Sequence, residues 1–379
     1  MFQNTPIWLR IVLSFALSFG ISFLMTPPVK VFAERVGAID VPGEARRVHD
    51  HPIPRMGGLA IFVGFLLSVI VFVSFSSQVM GIIIGALIIA MMGAVDDIMN
   101  LNAWVKLAVQ VVAALVAIRC GIVFTAISNP NFLSYNTTIQ IGWLAMPLTI
   151  LWIVGCTNAI NLIDGLDGLA VGVSAISSFS MMIVALFVAD PNTTFILAAL
   201  CGACVGFMPY NMNPAKIFMG DVGSQFLGYV LATTSIMGLF KLHTVITFIV
   251  PVLAMAIPLA DTVFAFIRRI LKGQSPFHAD KGHFHHRLLA LGLSQKQAVA
   301  VLYGVSAIMG LLGVLLAGKN TVMRILCVLA AFLISLSVWF FVFWHNPNIK
   351  KIHDNADHTG EPSDKNAEHT DSPDSGKNE

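Results

Sequence analysis

Long unbroken apolar stretches, separated by short polar turns, fill the chain up to about residue 345. Eleven of these runs are long enough, or nearly so, to cross a bilayer's hydrocarbon layer as helices. They fall at 8–25, 56–75, 79–95, 104–123, 143–161, 168–189, 194–210, 224–240, 244–267, 298–317 and 323–344. The runs are continuous and lack the alternation that a barrel strand needs. The first has neither a basic start nor a small-residue cleavage site, so it is expected to be an anchor and not a signal peptide. The pattern predicts an all-α integral membrane protein with about eleven transmembrane helices.

Composition agrees. Of 379 residues, 56% are hydrophobic and 11% charged, against roughly 25% charged in a soluble domain. The net charge of +2 gives no sign of a nucleic-acid partner. Charge placement says more. With eleven spans, the 26–55 and 268–297 segments fall on one side, together with the turns at 96–106, 158–167 and 211–223 and the C-terminal tail. That side carries seventeen of the twenty-two Lys and Arg. The positive-inside rule then puts the N-terminus outside and the C-terminus in the cytoplasm, and a multi-pass protein of the plasma membrane is the expectation. Before residue 353, only Asp190 among twelve acidic residues lies on the outer side. Acidic residues do not set topology, so a cytoplasmic active site is the expected cause.

The division predicted is a polytopic membrane domain over 1–345 and a disordered polar tail over 346–379, which has no periodic apolar face. Cys201 and Cys204 have the spacing of a redox or zinc pair, but within an apolar run they read as small packing residues.

Four polar sites interrupt the runs on the expected cytoplasmic side. Asp96-Asp97 closes the third run, and paired carboxylates at a membrane boundary suit a metal or general-base site or a helix-end cap. Asn158-Ala-Ile-Asn161-Leu-Ile-Asp164-Gly-Leu-Asp167 gathers hard oxygen donors at helical spacing, which suits Mg²⁺, the other reading being a polar turn between spans. Asn213-Pro-Ala-Lys216-Ile-Phe218-Met-Gly220-Asp221-Val-Gly223-Ser224 sets one Asp among small residues that let backbone approach a phosphate. Pro54-Arg55-Met56-Gly57-Gly58 could do the same, or simply start a helix with close packing. His278-Ala-Asp280-Lys281-Gly-His283-Phe-His285-His286-Arg287 lacks the spacing of a zinc site and has no nearby Cys. It suits phosphate neutralised jointly with a metal, with a zinc site or a solvated basic loop as the alternatives.

Together NAINLIDGLDGL, DDIMN, NPAKIFMGDVGS and HADKGHFHHRL resemble the polyprenyl-phosphate N-acetylhexosamine-1-phosphate transferases over roughly residues 10–345. The histidine loop is more similar to that of the bacterial undecaprenyl-phosphate N-acetylglucosamine-1-phosphate transferases, which start teichoic acid, O-antigen or related glycans. The resemblance implies transfer of GlcNAc-1-phosphate from UDP-GlcNAc to undecaprenyl phosphate, with Mg²⁺, or Mn²⁺ in its place, and room for a homodimer. It implies Asn161 and Asp221 as metal ligands and Lys106 as a diphosphate contact. It implies Asp167 and Phe218 at the uracil, and His283, His285, His286 and Arg287 at phosphate and sugar, with Arg55 also facing substrate. Asp96, Asp97 and Asp164 are the implied catalytic carboxylates. The alternatives are the phospho-N-acetylmuramoyl-pentapeptide transferases and, in another class, an ion-coupled transporter.

Overall fold

The computed structural model describes residues 5–41, 52–128, 138–188, 191–239, 245–271, 273, 282–317, 325, 329, 332 and 333. The expected tail, most of the 323–344 span, and His278, Asp280 and Lys281 of the histidine motif lie outside these residues.

Helices dominate. They are α1 (Ile7–Arg35), α2 (Gly58–Phe72), α3 (Ser77–Met99), α4 (Ala103–Arg119), α5 (Ala145–Ile163) and α6 (Leu169–Val188). Next come α7 (Pro191–Asn211), α8 (Gly220–Thr234), α9 (Val245–Ala254), α10 (Ala256–Leu271), α11 (Phe284–Ala290) and α12 (Gln295–Ala317). Two short antiparallel pairs join them: β1 (Ile39–Asp40) with β2 (Ile53–Pro54), and β3 (Ala126–Ser128) with β4 (Thr138–Gln140). Among the described residues, six helices are long and apolar enough to cross a membrane: α1, α3, α5 with its preceding turn, α6, α7 and α12. At 15 residues, α2 is apolar but shorter.

The chain departs from its predicted runs in two places. α1 continues ten residues past the expected end at 25, through Pro27 and Pro28. Its buried stripe of Ser14, Ser18, Ser22 and Thr26 extends through Val29 and Ala33, so packing carries the helix over the prolines. Gly37 then ends it with φ +76°, as Ala38 N–H donates to Ala33 O at 3.0 Å and Gly37 N–H to Glu34 O. The ninth run is two helices that break at Met255. Pro258 has no N–H for the carbonyl of Ala254, and Ser177 Oγ donates to that carbonyl at 2.5 Å instead.

Small residues allow the close approaches. A Cβ on Gly202 or Gly206 of α7 would lie 2.3 Å from a carbonyl oxygen of α1. Such contacts hold helices together where lipid offers no hydrophobic drive. α8 is the central helix: every residue except Asp221 is buried, and it packs on α2, α3, α5, α6 and α7. Because the helices run up and down, one end of the bundle collects the starts of α2, α4, α6 and α8 and the ends of α3, α5 and α7. All the polar motifs within the described residues sit at that end.

Candidate active site

Adjacent helical residues point about 100° apart, so Asp96 and Asp97 in the last turn of α3 serve different partners. Asp96 Oδ2 accepts from Lys106 Nζ at 2.6 Å and its Oδ1 from Leu101 N–H at 2.7 Å. Asp97 pairs with Arg55 at 3.2 Å. It also accepts from the backbone N–H groups of Asp221 at 3.0 Å and Val222 at 3.3 Å. The N-cap residue of α8 is Met219, whose side chain makes no capping bond. Asp97 therefore supplies from α3 the cap that α8 lacks.

This contact dictates a glycine. Gly220 has φ +72°, and a Cβ there would lie 2.3 Å from Asp97 Oδ2. A second glycine-dependent approach brings β2 and α2 to the same turn. Phe218 N–H donates to Pro54 O, Gly57 N–H to Phe218 O, and Gly58 N–H to Met219 O, all at 2.8–2.9 Å. Arg55 is thereby carried to Asp97, and half-buried Phe218 to the rim of the same cluster.

Asp221 is the centre. Its Oδ2 accepts from Lys106 Nζ at 2.9 Å and Gln225 Nε2 at 2.8 Å, and its Oδ1 from Asn161 Nδ2 at 3.1 Å. Behind it runs a chain of amides, of which Gln110 and Gln225 are buried and Asn158 half-buried. Gln110 Nε2 donates to Gln225 Oε1 at 2.9 Å, and Asn158 Nδ2 to Gln110 Oε1 at 2.7 Å. Gln110 and Gln225 were not among the sequence-derived candidates. Each lies four residues after a motif residue, Lys106 and Asp221, on the same helix face, and that polar i+4 spacing inside an apolar run was the available signal.

The turn after α5 holds two carboxylates, Asp164 and Asp167, in different surroundings. Burial, reinforced by the charges of Asp221 and Asp97, pushes the Asp164 carboxyl up to about 8. Asp167 Oδ2 accepts from Asn213 Nδ2 at 2.9 Å and Ala215 N–H at 3.1 Å. One oxygen of the expected uracil contact is thus already engaged by the Asn213-Pro214 turn. Tyr303 of α12 donates to Gly168 O at 2.5 Å and closes this turn from the other side.

Of the histidine motif, His285 is packed on the turn itself: a Cβ on Gly165 would lie 2.5 Å from its Nε2. Burial, with the His286 ring alongside, pushes the His285 imidazole down to about 3, so it is neutral. The His285 and His286 rings lie 4.3 Å apart. His283 stacks parallel to His285 at 5.8 Å, and Arg287 follows one turn later in α11. Cys201 and Cys204 are free and buried within α7.

Among the described residues, no three His, Cys, Asp or Glu side chains form a metal cage on their own. The oxygen donors around Asp221 nevertheless fit Mg²⁺, which commonly takes one or two carboxylates and completes its shell with water and phosphate. Asn161 uses the same nitrogen toward Asp221 and toward Ser224 Oγ at 2.8 Å. Its amide must turn over for its oxygen to join Asp221 on one cation.

A family model described as glycosyl transferase family 4 matches residues 79–239, the stretch from α3 to five residues past α8. A probable undecaprenyl-phosphate N-acetylglucosaminyl 1-phosphate transferase of Bacillus subtilis is 42% identical over 81% of this chain and 85% of its own length. The chain belongs to the polyprenyl-phosphate N-acetylhexosamine-1-phosphate transferases. A decaprenyl-phosphate N-acetylglucosaminephosphotransferase of Mycobacterium tuberculosis is 33% identical over 75% of this chain and 76% of its own. A phospho-N-acetylmuramoyl-pentapeptide-transferase of Heliobacterium modesticaldum is 34% identical over 70% of this chain and 83% of its own. Glycosyl-1-phosphate transfer is therefore the reaction class, and the apolar helices belong to a multi-pass membrane enzyme.

Proposed function

We propose that the protein transfers GlcNAc-1-phosphate from UDP-GlcNAc to undecaprenyl phosphate at the cytoplasmic face of the plasma membrane. A phosphate oxygen of the lipid attacks the β-phosphorus of the nucleotide sugar. The bond from that phosphorus to the bridging oxygen breaks, UMP leaves, and undecaprenyl-diphosphate-GlcNAc stays in the membrane as the first lipid-linked intermediate of an envelope glycan such as teichoic acid or O-antigen. One phosphoanhydride is exchanged for another, so catalysis is mainly positioning and charge neutralisation.

One observation carries this reading. Asp96, Lys106, Asn161 and Asp221 form a single cluster at one end of the bundle, in a chain 42% identical to the B. subtilis transferase. Lys106 and Arg55 supply positive charge for a diphosphate. Asp221, with Asn161 after its amide turns, would hold Mg²⁺, and the metal when bound neutralises phosphate oxygens. Asp97 fixes the start of α8 and so aims Asp221. Asp96 is left facing Lys106 as the carboxylate to orient the lipid phosphate. His285, beside the Asp164–Asp167 turn, and His286, whose ring lies next to it, are hydrogen-bonding groups for phosphate and sugar. An ion-coupled transporter would place its carboxylates near mid-span, whereas these sit at helix ends.

The test is UMP release by purified protein given undecaprenyl phosphate, Mg²⁺ and a panel of UDP-sugars. Release with UDP-GlcNAc that requires both lipid and metal is the expected result. Release only with UDP-N-acetylmuramoyl-pentapeptide would assign the peptidoglycan-precursor reaction, and none with any donor would refute transfer. For orientation, a cysteine at exposed Lys216 should react with an impermeant maleimide only after cells are opened. Labelling of intact cells would reverse the topology.

A further inference from the structure

Asp261 is a buried acid, 2% exposed, that none of the roles above uses. It lies in the second turn of α10, outside the Asp96–Asp221 cluster. Its Oδ2 is 2.9 Å from His283 Nδ1, and its Oδ1 accepts from Phe284 N–H at 2.9 Å. Both oxygens are therefore spent on the start of α11. His283 is the N-cap residue of that helix and makes no side-chain capping bond. A carboxylate from another helix caps it instead, as Asp97 does for α8.

The contact is one of three along a single stripe of α10. Three residues on, the Phe264 ring meets the Phe284 ring edge-on at 6.0 Å. Seven residues on, the Arg268 guanidinium lies so close to Gly282 that a Cβ there would be 2.4 Å from it. Positions 261, 264 and 268 share one helix face, and together they grip residues 282–284. The grip is passed on, because His283 stacks on His285, which in turn rests on Gly165 between Asp164 and Asp167.

We propose that Asp261 is a positioning residue for the transfer reaction. It fixes the hydrogen of His283 on Nδ1 and seats the His283–Arg287 turn against the Asp164–Asp167 turn. A carboxylate only accepts hydrogen bonds, so the ring nitrogen facing it donates. His283 Nε2 is then the nitrogen left to meet a donor. The assignment rests on the transferase reading for its effect on rate, but not for the state of the ring.

Two measurements test it. In protein labelled with ¹⁵N-histidine, the His283 signal, identified by its loss in His283→Gln, should show hydrogen on Nδ1. Hydrogen on Nε2 alone would overturn the proposal whether or not the protein transfers sugar phosphate. Asp261→Asn keeps an oxygen for Phe284 N–H but turns an NH₂ toward the ring, forcing the hydrogen to Nε2. It should lower kcat/KM for UDP-GlcNAc about 10–100-fold, taking as guide the range seen when the orienting partner of a metal-bound histidine is removed. The KM for undecaprenyl phosphate should not change. In a His283→Ala background the same change should cost less than about twofold, since Asp261 then has no ring to orient. Equal losses in both backgrounds, or an unaltered Asp261→Asn enzyme, would overturn the proposal. If Asp261→Asn fails to fold, the ring measurement on the wild type decides alone.

Discussion

Lys106 of α4 reaches Asp221 of α8, Nζ to Oδ2, at 2.9 Å, and the same ammonium lies 2.6 Å from Asp96. One cation thus bridges two carboxylates that would otherwise repel. Removing it should expose that repulsion to the metal. Lys106→Met is expected to lose about 10²–10³-fold in transfer, as when one transition-state stabiliser is deleted. Its melting temperature should also rise more steeply with Mg²⁺ than that of the wild type. Thermal melts across a Mg²⁺ series check this, and parallel curves would show that lysine and metal do not share the carboxylates.

Asp221→Asn keeps size and removes one anionic ligand. Transfer should fall by about 10²–10³-fold, and the Mg²⁺ concentration for half-maximal UMP release should rise. Unchanged rate and unchanged Mg²⁺ dependence would place the metal elsewhere, with Asp164 and the Asp96–Asp97 pair next to be tried.

Gly220→Ala should abolish activity and weaken the fold. The position needs φ +72° and has no room beside Asp97. Gly155→Ala in α5 is the control, since a Cβ there meets nothing within 4 Å. It should be neutral or slightly stabilising. Equal melting temperatures for the two variants would show that the Asp97 cap is dispensable.

The apolar runs were legible because a spanning helix in lipid must satisfy its own backbone, and only length and hydropathy are needed to see it. Ten of the predicted runs overlie helices of the structure. The break at Met255 was half legible: Pro258 announces a lost helix bond, but not that Ser177 reaches the carbonyl it leaves open. The motif residues announced themselves by cost, since carboxylates and amides at helix ends need a reason. Their partnerships did not. That Asp97 caps α8 while its neighbour Asp96 meets Lys106 follows from which way each side chain leaves the helix and from what the fold brings there. Gln110 and Gln225 stayed hidden because a single amide in an apolar run carries little signal until its neighbours are known.

His285 gives a pH signature of stability. Its ordinary value of 6.5 applies in the unfolded chain, and burial holds it at about 3 in the fold. The groups facing it are His286 and His283, which add to the downward shift, and Asp261, which opposes it. Above pH 6.5 both states are neutral and the shift costs nothing. As pH falls from 6.5 toward 3, the unfolded chain takes up a proton that the folded one refuses, so stability is progressively lost. His285→Gln keeps a hydrogen-bonding side chain that never titrates. Its melting temperature relative to the wild type should therefore improve steadily as pH drops from 7 to 4.5, with the offset between the two constant above pH 7. Melts in detergent at fixed ionic strength measure that difference. A difference that stays constant down to pH 4.5, or one that moves against the variant, would show that His285 takes up its proton in the fold as readily as in water. The Asp164–Asp167 turn would then rest against a cation rather than a neutral ring.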